Sequence, residues 1–347
     1  MDRRPAGRGG VRCDRNKTIG NVTSLPPGLP RENAGLPGST LPRGGTARRP
    51  SVLHEPVMVP QVLSVLITDP AGLYIDGTLG TGGHAEAILR ETAPYGRLWA
   101  LEWDPLALDR ARRRLEPFSA RARFFQVNYA ELPRLLAEEK QPAVGVLLDL
   151  GLSSLALDRP ERGFSYRFPR AELDMRYDPG SGPSAAQHLS RFSETELADL
   201  LHRLGDVRAA RRIARAVVIR RREQPLRKVG DLVAAVREGL GRPPSPRLLS
   251  QVFQAVRMSL HGDLENLEAC LSGLSPHMVL GGRLAILCYQ SLETRTVRRV
   301  LRPAPGSTEP VRWKSVLRRS LTPSPEEVRH NPRARRARLQ AYERVEA

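Results

Sequence analysis

The chain has 347 residues, enough for two ordinary domains or one domain with a large insertion, and its 40% hydrophobic and 27% charged content lets most of it bury a core. No apolar run approaches the roughly 18–20 residues of a membrane helix. Cys13, Cys270 and Cys288 lie far apart, which excludes a disulfide scaffold and a zinc knuckle of paired cysteines and fits a reducing compartment. The 55 basic residues exceed the 37 acidic ones to give a net charge of +18, a surplus that attracts polyanions, nucleic acid above all.

Residues 1–51 are rich in Gly, Pro and Arg, with ten basic and three acidic residues, and they carry no periodic apolar pattern. They cannot bury enough apolar area to offset chain entropy, so a disordered basic extension is expected. It has no apolar core of a secretory signal, and its many Gly and Pro residues argue against the amphipathic helix of a mitochondrial presequence. Order is expected from His54 onward. Residues 60–66 read as a short helix and 73–76 (LYID) as a buried strand. The glycine cluster 77–84 (GTLGTGGH) follows, then a helix over 85–91. Strands at 97–102, 122–127 and 144–150 alternate with helices at 105–115 and 132–139. This alternation predicts a parallel sheet covered on both faces. It breaks over 160–250, where helices are expected at 194–204, 209–222 and 229–238. One long helix over 247–274 leads back to an apolar strand at 283–289, with Gly281 and Gly282 marking the turn before it. The expected organisation is a sheet domain over 52–157 and 251–347 with an inserted helical domain at 158–250.

The chemistry gathers at the ends of strands. Asp76 ends the first, and Gly77, Gly80, Gly82 and Gly83 let the backbone turn tightly and approach a ligand closely. The helix that follows offers N–H groups to an anion. Glu102 ends the next strand about 20 residues on, the position of an acid that holds ribose hydroxyls. An adenosine-containing cofactor is therefore expected. No Gly-Lys-Ser/Thr follows the glycines, so the cluster is not a P-loop, and dinucleotides and S-adenosylmethionine both remain open. Asp149 ends the 144–150 strand and is followed by Gly151, Ser153 and Ser154. Ligands of open α/β sheets bind outside such carboxyl ends, so Asp149 is placed to face cofactor or acceptor.

These stretches resemble one family: the S-adenosylmethionine-dependent methyltransferases of small-subunit ribosomal RNA that modify cytidine N4, the RsmH or MraW family. The resemblance rests on HEPVM (54–58), YIDGTLGTGGH (74–84), DLGLSS (149–154), DRPERGFSY (158–166), LDMRYD (173–178), RRIARAV (211–217), REQP (222–225), FQAVRM (253–258), GGRLAIL (281–287), SLE (291–293) and NPRAR (331–335). It covers nearly everything from His54 to the end. It implies a Rossmann-like α/β methyltransferase fold with a helical insertion after the fourth strand. It also implies cofactor contacts from Gly82, Gly83, His84, Glu102, Tyr129 (beside the adenine) and Asp149. Asp149 is the candidate acceptor for the amine hydrogens and for the released proton. Without the resemblance, His84 would be read as a helix cap or packing residue and Tyr129 as a core aromatic. The implied partner is small-subunit rRNA or the assembled small subunit, in a bacterial cytoplasm and without a membrane; a homodimer is left open.

An arginine-dense helix, 211–222, holds six arginines and fits a phosphate-facing surface. A solvated charged face is the bland alternative, because only four of the 55 basic residues are lysine and a GC-rich genome produces that bias as readily as function. NPRARRAR (331–338) either touches RNA phosphates or folds back on the sheet domain. The chain also departs from the family. Tyr289-Gln290-Ser291-Leu292-Glu293-Thr294 stands where Phe-His-Ser-Leu-Glu-Asp is usual. His261 lies in a segment that lacks the usual Asn, and Ala156 replaces a usual Gln or His. These changes sit on the substrate side. They leave a catalytically weakened assembly factor that binds S-adenosylmethionine and rRNA as the alternative, and a DNA amino-methyltransferase as a weaker one.

Overall fold

The computed structural model describes residues 55–152, 154–302 and 311–345. The extension 1–51 lies outside them, as do His54 of HEPVM and Ser153 of DLGLSS.

Seven strands form one sheet in the order β3-β2-β1-β4-β5-β7-β6. Strands β1 (Leu73–Asp76), β2 (Arg97–Leu101), β3 (Ala122–Phe125), β4 (Ala143–Asp149) and β5 (Met278–Cys288) pair in parallel. Apolar residues of β1 and β5 alternate between two cores. Leu73, Ile75, Leu284, Ile286 and Cys288 face one side, while Tyr74, Ala285 and Leu287 face the other. Helices α1 (Val59–Leu66), α2 (Gly83–Glu91) and α3 (Pro105–Arg114) cover the second side. Helices α4 (Leu132–Glu139), α11 (Asp263–Leu274) and α12 (Ser291–Leu301) cover the first. Residues buried on both faces explain why these strands read as near-continuous apolar runs.

The sheet departs from the expected all-parallel form at one edge. β7 (Arg338–Arg344) runs antiparallel to β5, and β6 (Trp313–Ser315) runs antiparallel to β7. Leu339 and Ala341 bury on one face and Tyr342 on the other. Gly281 and Gly282 are not a turn before β5 but lie within it. The pairing register with β4 shifts between Ala143 and Gly145, and Gly281 takes φ +77°. The glycine run thus makes a bulge that bends the strand.

Between β4 and β5 the described chain holds helices and no named strand. They are α5 (Ser154–Leu157), α6 (Ala185–Ser190), α7 (Glu194–Gly205), α8 (Ala210–Glu223), α9 (Val229–Leu240), α10 (Pro246–His261) and α11. Ser184 with Gln187 and Ser193 with Glu196 form capping boxes that start α6 and α7. A third core gathers Leu189, Leu201, Ile213, Val217, Val236 and Phe253 from α6 to α10. The long helix expected over 247–274 is two helices. Gly262, at φ +63°, ends α10 and caps the start of α11. That left-handed conformation suits glycine and cannot continue a helix, so the apolar periodicity spans the break without a continuous backbone. α10 therefore belongs to two places at once. Its Leu249, Val252 and Phe253 pack into the helical core, while its Arg257 reaches the cleft described next.

Candidate active site

The parallel strands deliver their carboxyl ends to one edge of the sheet. The strand order reverses direction between β1 and β4, and a cleft opens there, as it does in open α/β sheets generally. A cavity of about 490 Å³ occupies it, lined by the β1–α2 loop, by Glu102, Tyr129 and Asp149, and by residues of α10, α11 and the β5–α12 turn. Small-molecule sites commonly measure about 300–1,000 Å³.

Glu102 is fixed from two sides. Its carboxylate accepts the Gly80 and Asp104 backbone N–H groups, both at 2.8 Å. Burial pushes its carboxyl up to about 7. Two backbone donors hold the oxygens in place, so the carboxylate is oriented before any ligand arrives. Tyr129 follows β3 and lines the cavity; its hydroxyl donates to the Asp263 carbonyl at 3.3 Å. The two residues expected to hold ribose and adenine thus face one cavity.

The glycine loop is shaped differently from a phosphate cradle. Gly82 takes φ +82° and begins α2, and Gly83 packs against Pro56. The helix start was expected to offer N–H groups to an anionic ligand. Instead the chain supplies the anion: the buried Asp76 carboxylate accepts from Thr78 N–H at 3.2 Å and from Ala85 N–H. A pyrophosphate at this helix start would suffer that carboxylate's charge. Burial pushes the Asp76 carboxyl up to about 6, with the neighbouring His84 drawing it back down. In the sequence alone Asp76 shows only as a strand end.

His84 and Asp149 complete the loop's inner face. His84 is buried, and its Nε2–H donates to the Val57 carbonyl at 2.9 Å. Because a carbonyl only accepts, that nitrogen carries the proton. Nδ1 then faces Asp149 Oδ2 at 3.6 Å. Asp149 is also held by Tyr289, whose hydroxyl donates to Oδ1 at 2.9 Å, and its backbone N–H donates to Thr78 Oγ1 at 2.6 Å. His84 is thus neither a helix cap nor only packing. All six residues expected at the site, Gly82, Gly83, His84, Glu102, Tyr129 and Asp149, fall on or beside this cleft.

Several residues without an assigned role converge there too. Glu293, 5% exposed, accepts the backbone N–H groups of Tyr289 (2.8 Å) and Gln290 (3.1 Å), and burial pushes its carboxyl up to about 7. Arg257 is buried against Asp263, with a 3.1 Å ion pair. Arg162 of RGFSY forms a buried pair with Asp104 at 3.0 Å and donates to the carbonyls of Arg176 (2.8 Å) and Tyr177 (2.7 Å). Asp104 also caps α3 through Leu106 N–H. One ion pair therefore ties the segment after Glu102 to the RGFSY and LDMRY motifs. The only advance signal was the density of motifs, which does not say which atoms meet.

The substrate-side departures have plain structural places. His261 is buried, donates from Nε2 to the Met175 carbonyl at 2.7 Å and packs against Tyr177, Trp103 and Phe164. Burial pushes its imidazole down to about 4, so it is neutral at physiological pH. Ala156 is buried in the helical core. Gln290 lines the cleft and is hydrogen-bonded to Gln254.

The arginine-dense helix α8 is only partly available. Arg212 donates to the Leu240 carbonyl, Arg220 pairs with Glu238, and Arg221 donates to the Leu189 and Phe192 carbonyls. Arg211, Arg215 and Arg222 remain exposed. The NPRAR segment folds back. Asn331 donates to the Glu55 carbonyl at 3.1 Å, Ala334 is fully buried, and Arg333 pairs with Asp158 at 2.8 Å beside the cleft.

The family model described as the MraW methylase family matches residues 51–345. A protein of Syntrophobacter fumaroxidans named ribosomal RNA small subunit methyltransferase H is 38% identical over 311 residues, covering 85% of this chain and 97% of its own. Proteins of the same name from Gloeobacter violaceus and Mycobacterium avium are 40% identical over 296 residues and 37% over 334. They cover 85% and 88% of this chain, and 89% and 86% of their own.

Proposed function

The chain belongs to the MraW methylase family, and from that membership we propose that it transfers the methyl group of S-adenosylmethionine to the N4 amine of a cytidine in the decoding region of small-subunit ribosomal RNA. The observation that carries this reading is the shared cleft. A ribose-holding acid, Glu102, and an oriented carboxylate, Asp149, open onto one cavity from the strand ends on either side of β1.

The residues present suit a cofactor that has an adenosine and no pyrophosphate. Glu102 would hold the ribose hydroxyls, Tyr129 would flank the adenine, and Gly82, Gly83 and His84 would shape the loop around the rest. Asp76 sets a buried carboxyl beside the start of α2, where a pyrophosphate would meet its charge. When bound, S-adenosylmethionine supplies a methyl group made electrophilic by its sulfonium.

The chain's own residues then have two tasks. The first is alignment. Cytosine N4 is a weak nucleophile because its lone pair is delocalised into the ring, so holding it in line supplies much of the rate. The second is proton handling. Asp149 accepts the N4 hydrogens, favours the amine with its lone pair localised, and takes the proton that the amine loses. Tyr289 keeps that carboxylate turned to the cleft.

The target base is turned out of any helix to reach the cavity. The helices over 158–250 act as an RNA-recognition insertion, with Arg211, Arg215 and Arg222 as its exposed phosphate contacts. The partner is small-subunit rRNA, naked or assembled.

The test uses labelled S-adenosylmethionine and small subunits lacking the native methyl group, with product nucleosides identified by mass spectrometry. Label in N4-methylcytidine at one site is expected, and Asp149→Ala is expected to abolish it. Full turnover by Asp149→Ala would sink the proposed role of Asp149. Cofactor binding without transfer would move the reading to an assembly factor.

A further inference from the structure

We propose that the side-chain amide of Gln290 reads the acceptor base, donating to the ring acceptor that neighbours the reacting amine. The inference rests on the methyl-transfer reading above and names a specificity-determining residue for it.

The argument starts from the Tyr289–Gln290 turn. Glu293 accepts both backbone N–H groups, so the turn is pinned from within α12. Tyr289 reaches from it to Asp149, and Gln290 lines the same cavity one residue on. Whatever is held by Asp149 therefore lies within reach of this turn.

The hydrogen-bond network decides which end of the Gln290 amide is available. Gln254 Nε2 donates to the Leu204 carbonyl at 3.2 Å. A carbonyl cannot donate, so the Gln254 nitrogen faces it. That same nitrogen donates to Gln290 Oε1. The oxygen of Gln290 is thereby taken, and its Nε2 group, with two N–H donors, is left for the cavity. No hydrogen bond to that nitrogen occurs among the described residues.

Two neighbouring polar groups on this wall are committed. The Tyr289 hydroxyl donates to Asp149, and the Gln254 nitrogen serves two acceptors. Arg257 is held by Asp263, its side chain 7% exposed. Arg257 Nε is a second unspent donor, but Gln290 is the one on the turn that reaches Asp149.

Base chemistry requires such a donor. In cytosine the N4 amine is followed along the same edge by N3 and then O2, both acceptors. A carboxylate that accepts from N4 needs a donor beside it to satisfy N3. Guanine places a ring N–H donor next to its amine, which would meet the Gln290 N–H groups donor to donor. Buried sites built around a hydrogen bond reject a base that cannot complete it.

The experiment uses the full chain, with Gln290→Met, which removes the donors at similar size, and Gln290→Glu, which turns them into acceptors. Cofactor affinity is measured by calorimetry, and kcat and KM on small subunits lacking the methyl group. Both variants should bind S-adenosylmethionine within about twofold of wild type. Their kcat/KM for the subunit should fall about tenfold or more, the glutamate variant further than the methionine one. Unimpaired kcat/KM in Gln290→Met overturns the inference while leaving the function standing. A parallel loss of cofactor binding overturns it too, since it would mark Gln290 as a structural residue. A wild-type chain that methylates no subunit overturns the functional reading and this inference together.

Discussion

Tyr289→Phe isolates one atom of the site. The Tyr289 ring packs beside Gly151, where an added Cβ would lie 3.2 Å from it, so phenylalanine keeps the packing. What disappears is the hydroxyl that donates to Asp149 Oδ1 at 2.9 Å. A hydrogen bond to an ionised group contributes about 1.5–3 kcal/mol. The Asp149 backbone N–H still donates to Thr78 Oγ1 at 2.6 Å and anchors the residue, so the lower end applies. About 1.5 kcal/mol corresponds to roughly a tenfold drop in rate if the carboxylate's orientation matters only in the transition state. The assay is steady-state methyl transfer over a range of subunit concentrations, beside calorimetric cofactor binding. Expected are a kcat down about tenfold, with KM for the subunit and cofactor affinity unchanged. A kcat within twofold of wild type would refute the claim that Tyr289 positions the carboxylate.

Cofactor affinity should rise with pH through about 7, because ribose hydroxyls donate to the ionised form of Glu102, whose carboxyl is pushed up to about 7. Calorimetry in buffers of different ionisation heat should then show proton release near pH 6.5, and no buffer dependence would contradict it. Glu102, Asp76 and Glu293 all have raised carboxyls, so their contribution to stability is fully present below about pH 4.5 and is lost as pH rises through 6 to 7. The unliganded chain should melt lower at pH 8 than at pH 5, read by scanning calorimetry. Arg162→Met strands the buried Asp104 carboxylate and should cost about 3–5 kcal/mol in chemical denaturation. Arg215→Ala should weaken RNA binding and flatten its salt dependence, whereas Arg221→Ala should lower stability instead, because Arg221 holds the Leu189 and Phe192 carbonyls. Salt-titrated binding and thermal melting separate the two.

The parallel strands were legible because burial on both faces writes them as short apolar runs between turn signals. The antiparallel edge was not. β7 alternates over Leu339, Gln340, Ala341 and Tyr342, a short period-two signal directly after a run of arginines that dominates any reading of charge. Gly262 illustrates a different loss. Apolar spacing continues through it, and only the backbone conformation shows that α10 and α11 are separate. That break matters to the site, because it places Asp263 at the start of α11, where it pairs with Arg257 of α10.

Single-residue chemistry at strand ends carried the site: Glu102 and Asp149 follow from position alone. What one-dimensional reading could not supply is who shares a hydrogen bond with whom. Asp76 looks like a strand terminus until Ala85, nine residues on in sequence, returns to its carboxylate as the first turn of a helix. Tyr289 is separated from Asp149 by 140 positions, yet strands β4 and β5 lie side by side with Asp149 opposite Leu287. That register sets the following turn beside the carboxylate. The substitutions at 289 and 290 therefore fall on the cleft wall beside Asp149. Read one at a time they look like losses from a motif. Set side by side by the register, they place a hydroxyl on Asp149 and an amide nitrogen at the cavity wall.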